Sequence, residues 1–345
     1  MERTENLNII EFEPLISPND LKTLLPATDK ISSVVAQSRK TVKEILANKD
    51  TRRLVITGPC SLHDTKATME YADKLATLQP QVQDKIQLIM RAYFEKPRTT
   101  LGWKGMIYDP YMDDSGKIEP GLKQARQLLL DISDRGLGLA TEFLDPIVPQ
   151  YIADLISWAS VGARTTESQI HRQMASGLSM PVGFKNSTEG RLDAAIAAVN
   201  AASSGHAFMG IAGNGQVVVA VTAGNPFGHL VLRGGTHGPN YGAEYVAFAE
   251  VLLQKAGVHT GLIIDCSHAN SCKNHTLQAK VATDVAQQIK TGSTLISGIM
   301  LESFLGAGNQ KLSDPAKLQY GISVTDKCMG WEESESLIRQ FADTI

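Results

Sequence analysis

A loop rich in positive charge follows the short apolar run at residues 88–90. The segment from Arg91 to Gly105 carries Lys96, Arg98 and Lys104 and is interrupted by proline and glycine. A strand that ends in such a loop delivers cations to a bound ligand. We therefore predict an anionic ligand. A solvated loop with no ligand is the alternative, and the rest of the chain argues against it.

Polar and charged residues recur wherever a short apolar run of this chain ends. In chain order they are Gly58-Pro-Cys60, Arg91 with Lys96, Glu142, Arg164, Lys185, Arg233, Cys266-Ser-His268 and Glu302, with Asp326 before the last helix. If the apolar runs are strands of one parallel barrel, these side chains meet at its carboxyl end, where barrel enzymes carry out their chemistry. Each residue alone has an ordinary structural explanation, so the shared position is the evidence.

The basic members of this set indicate binding of phosphate and carboxylate groups. They are Arg91, Lys96, Arg98, Arg164, Lys185 and Arg233. Guanidinium groups match both anions with paired hydrogen bonds. Because these cations exceed what one carboxylate needs, they predict two phosphorylated substrates, or one substrate that carries both groups.

The remaining members offer sulfur, nitrogen and oxygen donors. Cys60, His268, Glu302 and Asp326 suit one borderline divalent metal ion, such as Mn, Fe, Co or Zn. A nucleophilic Cys60 activated by His268 is the competing interpretation. Two carboxylates at the same rim favour the metal, since a thiol and its base do not require them.

From about residue 52 onward, the elements that would position these side chains alternate between strand and helix. The predicted strands are 54–57, 86–91, 137–142, 161–164, 182–185, 230–233, 262–265 and 296–301. The predicted helices are 67–78, 122–133, 149–158, 191–201, 243–256, 277–289 and 331–342. Eight such units predict a closed (β/α)8 TIM barrel over residues 49–345. An open doubly wound sheet is the second possibility.

Two segments fall outside this repeat. Residues 1–48 hold a polar tail and an amphipathic helix over 31–47, and we predict that this N-terminal extension packs on the barrel or on another subunit. Residues 206–225 are typical of a β-hairpin inserted before the sixth strand, because Asn214-Gly215 suits a type I′ turn. An insertion there lies at the amino-terminal end of the barrel, opposite the predicted site.

Composition and charge argue against several classes of protein. The chain has 345 residues, of which 43% are hydrophobic and 20% charged, and a net charge of -3. We expect neither nucleic acid nor a membrane as partner, since like charges form no long run and no apolar stretch approaches about 18 residues. The start lacks the features of a secretory signal, so we expect a cytoplasmic protein. The four cysteines, Cys60, Cys266, Cys272 and Cys328, are too scattered for a disulfide framework.

Seven motifs follow one another in order along the chain. They are Gly58-Pro-Cys-Ser-Leu-His-Asp64, Lys96-Pro-Arg-Thr-Thr100, Gly102-Trp-Lys-Gly105, Gly162-Ala-Arg-Thr-Thr-Glu-Ser168, Pro181-Val-Gly-Phe-Lys-Asn186, Leu232-Arg-Gly-Gly235 and Asp265-Cys-Ser-His-Ala-Asn270. Together they resemble 3-deoxy-D-arabino-heptulosonate 7-phosphate (DAHP) synthases of the microbial type I alpha class. The resemblance covers essentially the whole chain. It implies a metal-dependent TIM-barrel enzyme that condenses phosphoenolpyruvate with D-erythrose 4-phosphate, the first step of the shikimate pathway to aromatic amino acids.

Carried over by motif, the resemblance implies roles for individual residues. Metal would be held by Cys60, His268, Glu302 and Asp326. Phosphoenolpyruvate would be bound by Arg91, Lys96, Ala163, Arg164, Lys185 and Arg233. Erythrose 4-phosphate would be bound by Lys96, Pro97, Arg98 and Thr99, with Asp326 near its hydroxyls. Catalysis would use Lys96, His268 and Asp326, with His268 or Glu142 handling the attacking water. A homodimer or homotetramer is expected.

The resemblance also implies feedback inhibition by phenylalanine, tyrosine or tryptophan. The effector residues would be Asp145, Pro146, Gln150, Leu178, Ser179, Phe208, Gly210 and Val219, on the amino-terminal side of the barrel, with the extension closing the pocket across a subunit contact. The phenylalanine-sensitive type is expected to have serine where this chain has Gly210. The space left by glycine favours tyrosine, whose hydroxyl it would admit. A glycine that merely eases a strand bend is the alternative.

Two other functions remain open on the residues. A metal-dependent sugar-phosphate aldolase would need the metal and one phosphate site, but not this number of cations. A noncatalytic sugar-phosphate sensor would keep the cations, but has no use for Cys60, Glu302 and Asp326 together.

Overall fold

The computed structural model describes residues 2–345 and contains ten strands, eight of which close into a parallel barrel. The strands are β1 (Arg53–Gly58), β2 (Ile86–Arg91), β3 (Gly138–Glu142), β4 (Trp158–Val161), β5 (Val182–Lys185), β6 (Ala207–Ile211), β7 (Val217–Val221), β8 (Gly228–Leu232), β9 (Leu262–Asp265) and β10 (Ile296–Glu302). The barrel order is β1-β2-β3-β4-β5-β8-β9-β10, and β10 pairs with β1. The TIM-barrel prediction is confirmed, and the open doubly wound sheet is wrong.

Helices precede the barrel and alternate with its strands. They are α1 (Pro18–Leu24), α2 (Asp29–Leu46), α3 (Thr65–Val82), α4 (Ile118–Asp134), α5 (Pro149–Ile152), α6 (Gln169–Gly177), α7 (Asp193–Ser203), α8 (Ala243–Lys255), α9 (Gln278–Lys290) and α10 (Trp331–Thr344). Within residues 2–345, none of these helices is both long enough and apolar enough to cross a membrane.

The strand side chains divide between the barrel interior and the helix layer. Along β1, Leu54 and Ile56 belong to the interior cluster, whereas Val55 packs in the larger core with the helices. The interior cluster also takes in three residues of α2, namely Val42, Ile45 and Leu46. Helix α2 therefore closes the amino-terminal end of the barrel with apolar side chains, which leaves the carboxyl end for the polar residues.

The fourth strand differs from its prediction. The predicted strand is 161–164, but β4 occupies Trp158–Val161, and the helix predicted over 149–158 stops after α5 and a short 3₁₀ turn. Trp158 explains the shift, because its indole lies inside the barrel and its Nε1 donates to His229 Nε2 at 3.0 Å. In the sequence the same tryptophan fits the apolar face of a helix. The pattern also misses α1 and α6, which are short and bury few side chains.

Strands β6 and β7 form the predicted hairpin between α7 and β8. Its turn differs from the prediction, because type I′ requires a positive φ at both central residues and Gly215 has one (+83°) whereas Asn214 does not. Ala212 N donates to Gln216 O at 2.9 Å, which closes a three-residue loop with glycine in the left-handed position. Loop length, which the sequence does not reveal, decided the turn type.

Candidate active site

The carboxyl ends of the barrel strands open into one cavity of about 440 Å³. Its lining includes Lys96, Pro97, Arg98, Ala163, Arg164, Lys185, Arg233, His268 and Asp326, all of which are predicted site residues. Cys60, Arg91 and Glu302 are buried beside these, each at most 1% exposed. Thr99 is exposed on its loop and is not among the lining residues. The structure therefore gathers the residues predicted from the strand ends and leaves Thr99 aside.

Arg91 and Lys185 are buried cations, each held by a carboxylate from another strand. Arg91 Nη2 lies 3.2 Å from Glu302 Oε1, and Lys185 Nζ donates to Asp265 Oδ2 at 3.0 Å. Burial alone would lower the pKa of Lys185, but Asp265 raises it. Both charges are thus fixed before any ligand arrives, which is how a site stabilises an anion without rearranging.

Arg164 and Arg233 differ from these two because neither forms a salt bridge within residues 2–345. Arg164 is exposed at the cavity, and Arg233 is partly buried nearby. Burial lowers the pKa of Arg233, and the positive charge of Arg164 adds to that effect. Two neighbouring guanidinium groups without a carboxylate form a ready site for phosphate.

Cys60, Glu302 and Asp326 bring three possible donor atoms within 4.8 Å of one another. The sulfur of Cys60 lies 3.2 Å from Lys96 Nζ and 3.4 Å from the backbone nitrogen of Asp326. Burial alone would raise the pKa of Glu302, but His268 and Arg91 lower it to about 2, so the carboxyl is ionised. A thiol and two carboxylates at this spacing fit one borderline divalent ion.

His268, the fourth predicted donor, stands beside this group. Its Nε2 lies 3.9 Å from Glu302 Oε1, and its Nδ1 lies 2.9 Å from Asp265 Oδ2. The residue has a φ of +52°, which is uncommon outside glycine. Metal-ligating histidines typically present one ring nitrogen to the ion and the other to a carboxylate. Asp265 lies beside one ring nitrogen of His268, so Nε2 is the nitrogen that would face an ion.

The thiol of Cys60 is poorly suited to act as a free nucleophile. Burial and, to a smaller extent, the charge of Glu302 raise its pKa to about 11. A nucleophilic cysteine must be a thiolate near neutral pH. A bound cation would supply the positive charge that a buried thiolate requires, so the surroundings favour the ligand interpretation over the cysteine–histidine pair.

Glu142 adds a buried carboxylate to the cavity, where Asp326 is the other acidic lining residue. A Cβ at Gly162 would clash with Glu142 Oε1, so a side chain at that position would displace the carboxyl group from its place beside the cavity. The negative charge of Glu142 acts on both Lys96 and Lys185. Glu142 is therefore close enough to Lys96 and Lys185, two of the lysines that line the cavity, for its charge to act on both.

Comparisons with known proteins agree with this geometry. The family model described as the DAHP synthetase I family matches residues 30–339. The chain belongs to the DAHP synthetase I family. The phenylalanine-sensitive phospho-2-dehydro-3-deoxyheptonate aldolase of Escherichia coli K12 is 49% identical over 343 residues, which are 99% of this chain and 98% of the relative. The tyrosine-sensitive form of Salmonella typhimurium is 50% identical over 336 residues, 97% of this chain and 94% of the relative.

The tryptophan-sensitive form of Escherichia coli K12 is 47% identical over 345 residues, covering 100% of this chain and 99% of the relative. A solved phospho-2-dehydro-3-deoxyheptonate aldolase from Francisella tularensis SCHU S4 superposes with a TM-score of 0.96 at 46% identity, over 98% of each chain. The prediction of a 3-deoxy-7-phosphoheptulonate synthase is confirmed. Relatives of all three sensitivities match almost equally well, so these likenesses do not identify the effector.

Sequence reasoning missed three buried asparagines that fasten the substrate side of this DAHP synthetase I site. Asn186 Oδ1 accepts from the backbone nitrogen of Arg233 at 2.8 Å and from Asn240 Nδ2 at 3.1 Å. Asn240 Oδ1 accepts from Gly234 N at 2.7 Å, and Asn270 Oδ1 accepts from Asn240 N at 2.8 Å. Asn186 and Asn270 are the last residues of two of the seven sequence motifs, and this was the one sign in the sequence that they belong to the site. Their inward direction could not be read from the sequence.

Two polar side chains that hold Glu302 were missed as well. Gln278 Nε2 donates to Glu302 O, and Gln278 Oε1 accepts from Glu302 N, both at 2.9 Å, in the manner of a strand partner. Ser267 Oγ donates to Glu302 Oε2 at 2.7 Å. Ser267 lies in the motif that begins at Asp265. Gln278 is the first residue of α9, and nothing in the sequence indicates that it belongs to the site.

The predicted effector residues lie apart from the cavity, and Val219 does not share a face of the hairpin with Phe208 and Gly210. Phe208 and Gly210 share the inner face of the hairpin with Ala220, whereas Val219 is on the outer face and 70% exposed. A Cβ on Gly210 would meet Ala220 Cβ at 3.5 Å, which is ordinary contact. Alternation along the strand was clear from the sequence, but which face turns inward was not.

The segments predicted to surround the hairpin contact it at its base and tip. Asn225 Nδ2 at the base donates to Leu178 O at 3.0 Å, next to Ser179. At the tip, Asn19 N donates to Gly213 O at 2.7 Å. Tyr151, which follows Gln150, donates through its hydroxyl to Ile16 O at 2.7 Å. Residues of the N-terminal extension therefore connect the hairpin tip to the 145–151 segment within one chain.

Asp145, followed by Pro146, does not lie on the amino-terminal side as predicted. It follows β3 at the carboxyl side, and its backbone nitrogen donates to Glu95 Oε1 at 3.0 Å. Tyr108 Oη donates to Glu95 Oε1 at 3.0 Å and to Asp145 Oδ2 at 3.2 Å. Glu95 precedes Lys96 in the chain. The predicted effector segment therefore reaches the immediate neighbour of a cavity residue.

Proposed function

We propose that this member of the DAHP synthetase I family condenses phosphoenolpyruvate with D-erythrose 4-phosphate and water, giving DAHP and phosphate, with one divalent ion held by Cys60, His268, Glu302 and Asp326. The observation that carries the proposal is that guanidinium groups without a salt bridge and a cluster of metal donors lie at the same cavity. Neither a phosphate site nor a metal site alone explains both sets.

The cations support a division of the cavity between two anionic substrates. Arg91, Arg164, Lys185 and Arg233, with the Ala163 amide and Lys96, would hold phosphoenolpyruvate. The Lys96-Pro97-Arg98-Thr99 segment would hold erythrose 4-phosphate. Because Thr99 is exposed, it would contact this substrate through its backbone or after a movement of the loop. Two highly charged substrates in one cavity need such a surplus of fixed positive charge.

The reaction joins C3 of phosphoenolpyruvate to the aldehyde carbon of erythrose 4-phosphate. A bound divalent ion supplies Lewis-acid polarisation of the aldehyde oxygen. Lys96, which contacts the sulfur of Cys60, would donate a proton to that oxygen as the new bond forms. Positive charge then develops at C2, water adds there, and phosphate leaves with cleavage of its bond to C2. Glu142, whose charge acts on Lys185, would accept the proton of the attacking water, because the arrangement proposed for His268 leaves neither of its ring nitrogens free.

Release of inorganic phosphate tests the proposal. Phosphate should leave phosphoenolpyruvate only when erythrose 4-phosphate is also present, should stop on chelation, and should return with Mn or Co. An aldolase would cleave or form carbon–carbon bonds without releasing phosphate, and a sensor would do neither. Cys60→Ala should fold but lose the metal, since one of its donors is gone. Full turnover by Cys60→Ala after exhaustive chelation would overturn the ligand set.

We further propose that an aromatic amino acid inhibits the enzyme from the hairpin side, and that the amino acid is tyrosine. Gly210 on the inner face leaves room that a serine would occupy, and the 145–151 segment reaches Glu95 beside Lys96, which offers a physical route to the cavity. Ala220 lies on that inner face with Gly210, whereas Val219 lies on the outer face. Phenylalanine and tryptophan remain the alternatives.

Replacing Gly210 with serine tests this choice of effector. The new side chain meets only ordinary contacts, so we expect unchanged turnover and weaker inhibition by tyrosine. Val219→Thr on the outer face is the matched control and should leave inhibition unchanged. Stronger inhibition of the unmutated enzyme by phenylalanine than by tyrosine would contradict the assignment.

The outer face of the hairpin supports self-association as a homodimer or homotetramer. Met209, Val217, Val219 and Val221 are all apolar and 70–85% exposed there. Exposed apolar faces of this kind commonly mark protein interfaces. Sedimentation of the unmutated protein and of Val219→Lys should show an oligomer that the charged variant weakens.

A further inference from the structure

Asp265 is a buried carboxylate to which the proposed function gives no role. It is the last residue of β9 and has no exposed surface. It is absent from the cluster of metal donors and from the residues that line the cavity. A buried ionised carboxylate is costly unless it is paired with cations and hydrogen-bonded, so its partners indicate why it is there.

One oxygen of Asp265 is shared between the two halves of the site. Lys185 Nζ donates to Oδ2 at 3.0 Å, and His268 Nδ1 lies 2.9 Å from the same atom. Lys185 lines the cavity on the side assigned to phosphoenolpyruvate, and His268 faces Glu302 on the side assigned to the metal. The second oxygen, Oδ1, accepts from the backbone nitrogen of Ser267 at 3.0 Å, which fixes the carboxyl plane.

The backbone around Asp265 is equally constrained. Asn270 Nδ2 donates to Asp265 O at 2.8 Å, so the strand end is fastened on the far side of the residue as well. His268, three residues later, has a left-handed backbone conformation, and its Nδ1 lies 2.9 Å from Asp265 Oδ2. The carboxyl group therefore cannot move with Lys185 without losing its contact with His268, and the reverse also holds.

We propose that Asp265 is a positioning residue that aligns the substrate lysine and the metal-side histidine through one carboxylate oxygen. The inference rests on the proposed function. Without this charge, Lys185 loses its anchor and turns towards Glu142, the other carboxylate that acts on it. The ring of His268 loses the group that holds Nε2 towards Glu302. Carboxylates behind metal-bound histidines are worth about 10–100-fold in metal affinity.

Two binding measurements without turnover test the proposal in Asp265→Asn, which keeps the size of the side chain and removes its charge. Mn²⁺ is titrated into metal-free protein, and phosphoenolpyruvate is titrated separately into metal-free protein. We expect Mn²⁺ affinity to fall at least about tenfold, and phosphoenolpyruvate affinity to fall by a similar factor, since a charged hydrogen bond that orients Lys185 is lost. Loss of only one affinity, or of neither, overturns the shared role.

Two further variants separate positioning from general damage. Ser267→Ala removes the hydroxyl that donates to Glu302 Oε2 and leaves Lys185 with its carboxylate partner, so it should weaken Mn²⁺ binding more than phosphoenolpyruvate binding. Asp154→Asn breaks the ion pair with Arg126, whose guanidinium is buried outside the cavity, and should change neither affinity. Weakening of both affinities by Asp154→Asn would show that any buried ion pair has this effect and would overturn the proposal.

The outcome also distinguishes this inference from the proposed function. If the unmutated protein binds both ligands and Asp265→Asn binds them equally well, Asp265 has no positioning role and the proposed function stands. If the unmutated protein binds neither Mn²⁺ nor Co²⁺, the proposed function fails, and the inference fails with it. Should Asp265→Asn not fold, Asp265→Glu moves the same charge by one methylene and goes through the same two titrations, with the same deciding results.

Discussion

Among individual residues, Cys60 is one whose surroundings determine how its thiol should react with oxidants. Its backbone nitrogen donates to Cys328 Sγ at 3.4 Å, and both thiols are fully buried next to the cluster of donors. The pKa of Cys328, like that of Cys60, is raised by burial, so neither sulfur is a thiolate while the protein has no metal. Oxidation therefore depends on slow access of oxidant and not on high reactivity.

We expect metal-free protein exposed to oxygen to form a Cys60–Cys328 disulfide and to lose activity as it forms. Peptide mapping under non-reducing conditions measures the bond, and saturating metal should prevent it by occupying Cys60. Cys328→Ser should resist this inactivation, whereas Cys266→Ser, a matched change at another buried cysteine, should not. Free thiols at both positions in aged, inactive, metal-free protein would count against this expectation.

At the scale of elements, the asparagine network replaces ladder hydrogen bonds where the barrel strands end. Asn240 is its centre, since it bonds to Gly234, Asn186 and Asn270. The loops it fastens follow β5, β8 and β9, which present Lys185, Arg233 and His268 to the cavity. The positions of these three side chains thus depend on amide groups that do not line the cavity.

Asn240→Ala should lower the free energy of unfolding by about 1–3 kcal/mol, because buried partners lose their hydrogen bonds. It should also raise the KM for phosphoenolpyruvate, since the loop that carries Arg233 loosens. Asn225→Ala is the matched control, because Asn225 donates to Leu178 O and Met180 O at the other end of the barrel. Chemical denaturation and steady-state kinetics measure both effects. An unchanged KM in a destabilised Asn240→Ala enzyme would refute the link.

The sequence predicted the elements where a local signal was strong. Apolar runs that end in charged motifs gave the eight strands and most of the cavity lining, because both signals lie within a few residues of each other. It failed where distant packing decides. Trp158 belongs to the barrel through His229, which is far along the chain, and Val219 faces outward because the base of the hairpin docks near Leu178. Asp265 and Gln278 act through partners that no spacing reveals.

For the whole molecule, the barrel end opposite the cavity should control the response to acid. His229 is fully buried there, and its Nε2 accepts from Trp158 while its Nδ1 contacts Phe227 O at 3.1 Å. Burial lowers the pKa of His229 to about 4 from its ordinary 6.5. Between these two pH values His229 binds a proton in the unfolded chain but not in the folded protein. The free energy of unfolding therefore falls as pH drops from 6.5 towards 4.

This loss should reach about 3 kcal/mol at the acid end of that range. His229→Gln keeps an acceptor for Trp158 but cannot titrate, so its unfolding free energy should depend less on pH between 6.5 and 4.5. His259→Gln, at an exposed histidine, is the control and should keep the slope of the unmutated protein. Urea denaturation at several pH values measures the slopes. Equal slopes in all three proteins would show that folding does not lower the pKa of His229.

The central claim is that the charges at the strand ends act together on phosphorylated substrates, and Arg164 tests it most directly. Its guanidinium is exposed at the cavity and forms no salt bridge within residues 2–345, so its removal leaves the fold intact. The measurement is kcat/KM for phosphoenolpyruvate in Arg164→Ala, compared with Arg135→Ala, which removes an arginine paired with Asp73 on the surface. The account predicts a loss of about 2–5 kcal/mol in transition-state stabilisation for Arg164→Ala and none for the control. Activity of Arg164→Ala within about threefold of the unmutated enzyme, a difference under about 1 kcal/mol, would contradict it.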